Sequence, residues 1–130
     1  MSRRRMHDEQ GQTMVEFALV APLLLLILFA VLQFGVVYNN YVTLTDATRV
    51  GARKAAVSRH AANPEAEAEA AVRGSAPGLD QADLAVSVAA SGWEHGEEVT
   101  VAASYPYEID LLGIVVASGD LESSTTERVE

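Results

Sequence analysis

From Phe17 to Val37 the chain reads FALVAPLLLLILFAVLQFGVV, 21 residues without a charge. As a helix such a run is about 30 Å long, which is the thickness of the hydrocarbon layer of a bilayer. Apolar residues occur on every side of it, so a soluble fold would have to surround the helix completely. A chain of 130 residues leaves too little core for that. A cleaved secretory signal fits poorly: its apolar region is about 7 to 15 residues long and ends at a small-x-small site, whereas Gln33, Phe34 and Gly35 offer none. The run predicts a single membrane-spanning helix over 17–37, with membrane lipid as its surroundings.

Charge is distributed unevenly around this run. Arg3, Arg4 and Arg5 precede it, while residues 38–130 hold six Lys/Arg against fifteen Asp/Glu. The acidic part argues against nucleic acid, whose phosphates call for clustered cations. Arg49, Arg53 and Lys54 after the run nearly balance the arginines before it, so positive-inside counting is close to a tie. The short basic N-terminus carries no domain, and the simpler topology leaves it in the cytoplasm and exports the folded part. With no cysteine, neither a disulfide framework nor a thiolate metal site is available. His7, His60 and His95 are scattered, and no phosphate-binding glycine loop or nucleophile with a base can be assembled from the spacing. The chain is therefore expected to be no enzyme, with no cofactor, metal or small-molecule substrate; Glu94, His95, Glu97 and Glu98 are the one cluster with metal-ligand chemistry, and they read rather as the solvated charges of a hairpin tip.

Glu16 stands at the lip of the apolar run, where a carboxylate is costly unless it finds a cation. Were the chain cut after Gly11, Gln12 would present a new α-ammonium four residues before Glu16, one helical turn away or within reach of a neighbouring subunit's Glu16. Pro22 removes a backbone hydrogen bond early in the helix; a functional kink and a tolerated membrane proline are both open. Gln33 has two readings as well, a hydrogen bond to another subunit's helix or a reach to the interface.

Beyond the membrane, Tyr41 to about Ser58 stays helical, with small residues at Ala47, Gly51 and Ala55 for close packing on the chain's own sheet or on neighbouring subunits. Asn63, Pro64 and Glu65 begin a short helix that Gly74 stops, with Glu69 and Arg73 as an i,i+4 pair. Period-two alternation at Leu84–Val88 and Val99–Ala102 predicts an antiparallel hairpin. Ser123–Val129 predicts a third strand, polar enough for an exposed edge. The apolar stretch 109–117 around Gly113 is expected to cap the end of the sheet, with a surface lip for a partner or membrane as the alternative.

The stretch GQTMVEFALVAPLLLLILFAVLQFG, followed by Tyr38, Asn39, Asn40 and DATRVGARKAA, resembles the TadE-like pseudopilins of the tight-adherence (Tad/Flp) type IV pilus system. The residues that carry the resemblance are Gly11, Val15, Glu16, Phe17, Pro22, Gln33, Phe34, Gly35, Arg49 and Arg53. It implies an α+β, type IV pilin-like fold: a leader at 1–11, an N-terminal helix at 12–60, and a small extracytoplasmic domain at 61–130 with a short helix and a three-stranded antiparallel sheet. It also implies processing after Gly11 by a prepilin peptidase, with Gly11, Gln12, Glu16 and Phe17 as the processing site. Gln12, Glu16, Pro22 and Gln33 would dock onto other pilins, pseudopilins and the Tad assembly machinery. Gln12 departs from the phenylalanine with which ordinary type IV pilins begin. The expected location is the cytoplasmic membrane, with a place in the filament or in an initiating complex both open. The competing reading is an uncleaved single-pass anchor bearing a binding or signalling domain.

Overall fold

The computed structural model describes residues 3–130, with side chains from Glu9 onward, so the side chains of Arg3, Arg4 and Arg5 lie outside the described residues. One long helix, α1 (Arg3–Ala56), is followed by α2 (Pro64–Gly74) and by β1 (Ala85–Ala90), β2 (Glu98–Leu111) and β3 (Ile114–Arg128). Local chemistry sets the helix ends. Ser58 closes α1 by donating its hydroxyl to the Lys54 carbonyl (2.6 Å) and its N–H to that of Ala55 (3.1 Å). Arg53 and Lys54 occupy the last turn, where cations suit the helix dipole. Asn63 caps α2, its side-chain oxygen accepting the Ala66 N–H at 3.1 Å, and Pro64 in the first turn sacrifices no bond the helix would have made.

The sheet is antiparallel in the order β1-β2-β3. Its inner rows are Val88, Val101 and Thr125, then Val86, Ala103 and Ser123. They pack on the C-terminal part of α1, where Leu44, Ala47, Ala52 and Ala55 are wholly buried together with Ala68 and Val72 of α2. The stripe Ala47, Gly51 and Ala55 is therefore used inside the chain's own head. Gly51 permits the closest approach: a Cβ there would lie 2.3 Å from a Val72 methyl and 3.3 Å from the Ala68 carbonyl oxygen. Arg73 pairs with Glu69 at 3.0 Å and also donates to the carbonyls of Gln81 and Leu84, tying α2 to the entry of β1.

Two features of the sheet differ from the expectation. β3 is an edge strand, but the polar residues Ser123 and Thr125 face inward, where their hydroxyls lie 3.2 and 3.4 Å from that of buried Thr48. A strand is polar on its inner face when the helix opposite supplies a polar partner, which strand periodicity cannot reveal. Residues 109–117 do not cap the sheet. They are the end of a long β2–β3 hairpin that turns at Leu112–Gly113.

Candidate assembly and processing site

The N-terminal half of α1 stands free of the head. Every residue from Glu9 to Val20 is exposed, and an 18-residue window of mean hydropathy 2.8 has none of its residues buried. Phe17, Leu23, Ile27, Phe29 and Phe34 all lie open. The helix is thus long and apolar enough to cross a membrane, and the head does not cover it, as it would cover a core helix. These findings suggest a single-pass membrane anchor.

Within this free segment, Gly11, Gln12, Glu16 and Phe17 share successive turns. The side-chain amide of Gln12 donates to the Glu16 carboxylate at 3.2 Å. Glu16 therefore has a partner on its own helix, a neutral one that sequence reasoning missed by looking only for cations; the i,i+4 spacing was the available signal. A Cβ on Gly11 would meet nothing within 4 Å. Glycine weakens a helix interior by about 1 kcal/mol relative to alanine, so here it has a local cost and no packing function within the chain. Pro22 is exposed on the same free segment, and the helix continues through it.

Gln33 lies apart from this group. Its amide nitrogen donates to the Asp110 carbonyl oxygen, and its amide oxygen accepts the Asp110 N–H at 2.7 Å. A primary amide can substitute for the peptide of a neighbouring strand because it offers one donor and one acceptor in the same plane. Gln33 does this on the edge of β2 that β1 leaves open beyond Ser104. The polar residue of the apolar run is thereby matched inside the chain.

The charged loop between β1 and β2 is held by its own backbone, with the Glu97 carboxylate accepting the Glu94 N–H at 2.9 Å. Among the described residues no group of three or more His, Asp or Glu side chains is placed to hold a metal ion.

Residues 11–53 match the family model of TadE-like protein. The match begins at Gly11 and ends within the buried stretch of α1, so α2 and the sheet lie outside it. No curated protein and no solved structure matches the chain.

Proposed function

We propose that this chain, TadE-like over residues 11–53, is a pseudopilin, or minor pilin, of a Tad (Flp) type IV pilus. It is made with a cytoplasmic leader, cut after Gly11 by a prepilin peptidase, and held in the cytoplasmic membrane by residues 17–37 with its head on the far side. One observation carries this reading: the TadE-like match begins at a glycine that no neighbouring group requires, on a turn fully open to an enzyme, at the foot of an uncovered apolar helix. Gly11 serves the peptidase by leaving the approach to the scissile bond clear and by making the helix there easier to unwind.

Cleavage converts the Gln12–Glu16 pair. The carboxylate that accepts a neutral amide in the uncut chain gains an α-ammonium at Gln12, on its own chain or an adjacent subunit, and a charge-assisted contact in a low-dielectric setting is the stronger of the two. Glu16 then sets the axial register as subunits dock through Gln12, Glu16, Phe17 and the apolar surface around Pro22. Gln33 contributes indirectly, by holding the hairpin that travels with the helix. Partners are the peptidase, other pilins and the Tad machinery.

Mass spectrometry of the N-terminus of the protein from its native membrane, alongside a peptidase-deficient strain, tests the reading. A chain that starts at Gln12 and reverts to the uncut form in the deficient strain supports it. Residues 1–11 retained in both strains would leave an uncleaved anchor.

A further inference from the structure

The β2–β3 hairpin extends beyond the rest of the sheet. β1 pairs with β2 only between Val99 and Ser104, whereas β2 and β3 continue together to Leu111 and Ile114. Contacts along α1 fix its direction. Val101 lies at Gly51, and Asp110 is held by Gln33. The first point lies about 27 Å from the second along the helix, and about 30 Å along the strand. The lengths agree, so β2 descends beside α1, and its turn reaches at least the level of Gln33, inside the apolar run 17–37.

The chemistry of that tip suits its position. Leu112 is 78% exposed, Ile114 68%, Val116 54% and Val115 50%, and the helix residues on either side of Gln33, Leu32 and Phe34, are exposed as well. Leu112 and Gly113 have φ of 56° and 84°. Both central residues of a two-residue hairpin turn at positive φ favour Asn-Gly or Asp-Gly, and a leucine in the left-handed region carries a steric cost. An apolar side chain held there against backbone preference, and pointing away from the protein, is useful where the surrounding medium is apolar. The backbone is prepared for the same medium. The Gly113 N–H is bonded to the Asp110 side chain at 2.6 Å, and Gln33 takes both outward groups of Asp110. Pro106, which lies on the same open edge by strand alternation, has no N–H to leave unpaired. The outward backbone groups of Asp110 and the Gly113 N–H thus have partners where the medium would supply none.

We propose that the hairpin tip, Leu111 to Val116, is a second membrane contact, seated at the boundary of head groups and acyl chains beside α1, and that lipid covers its apolar side chains. The head then sits on the bilayer at a fixed height and tilt, with α1 leaving the hydrocarbon near Gln33, and removal of the subunit from the membrane must extract the tip together with the helix. The proposal rests on reading 17–37 as membrane-spanning.

The absence of native cysteine allows a direct test. Single variants Leu112→Cys, Val115→Cys, Leu26→Cys and Glu94→Cys of the full chain are spin-labelled in vesicles of phosphatidylethanolamine and phosphatidylglycerol, and collision rates with oxygen and with a water-soluble nickel chelate are compared. The expected result is an oxygen-to-nickel ratio several-fold higher at 112 and 115 than at 94, between the values at 94 and 26. A ratio at 112 and 115 equal to that at 94, with 26 still in lipid, overturns the tip proposal and leaves the anchor intact. Low rates with both reagents at 112 and 115 mean that a second copy covers the tip, which also overturns it. A water-like ratio at 26 overturns the anchor reading itself, and the proposal with it.

Discussion

Leu26 and Leu44 are the same side chain in the same helix, about five turns apart and hence on the same face. Leu44 is completely buried, while Leu26 is 39% exposed. The difference is one of height along the axis, set by how far the sheet and α2 reach down α1. Above Gln33 the helix has one buried stripe, through Leu44, Ala47, Thr48 and Gly51, and open flanks such as Arg49 and Arg53. Below it, among the described residues, no face is buried by the rest of the chain. A single helix thus has a covered and an uncovered part, and the head rather than the helical repeat draws the border.

The largest effect should separate these two leucines. Leu44→Ala is expected to lower the stability of the head by about 3 kcal/mol, through lost burial and the cavity left behind. Leu26→Ala should change it by less than about 0.5 kcal/mol, as expected of a residue the head does not touch. Urea unfolding in mild detergent, followed by the fluorescence of half-buried Trp93, measures both, and equal losses would erase the border. The two helical glycines sharpen the comparison. Gly51→Val forces a displacement of Val72 and should cost about 2 kcal/mol by overpacking. Gly35→Val, where an added Cβ meets nothing within 4 Å, should leave the head unchanged in the same unfolding experiment. Smallest for stability, yet decisive for the proposed function, is Glu16→Ala: unfolding of the head and insertion into the membrane should match the parent chain, while pilus number and length fall. Normal pili in that variant would remove Glu16 from docking.

Much of this was legible in the sequence because it depends on local rules. A run of 21 uncharged residues has only a few uses, Asn63-Pro64 and Gly74 bracket a helix through backbone chemistry, and alternation around Val86, Val88, Val99 and Val101 marks a hairpin. The i,i+4 spacing of Gln12 and Glu16 was legible for the same reason, although their hydrogen bond was missed by looking only for a cation. Thr48 with Ser123 and Thr125 was not, because three hydroxyls some 75 residues apart announce nothing until the sheet is laid on the helix.

The sequence by itself determined that α1 would contain a stretch too apolar for water and that an α+β head would follow, since composition and periodicity act within a few residues. Only the tertiary structure decided where one gives way to the other. That border depends on the length of the β2–β3 hairpin and on the single amide of Gln33 that meets Asp110. The same packing turned the apolar stretch 109–117 from a cap into a hairpin tip level with the apolar run of α1. Burial is a property of distance in space, and residues 33 and 110 become neighbours only when the whole strand lies down along the helix.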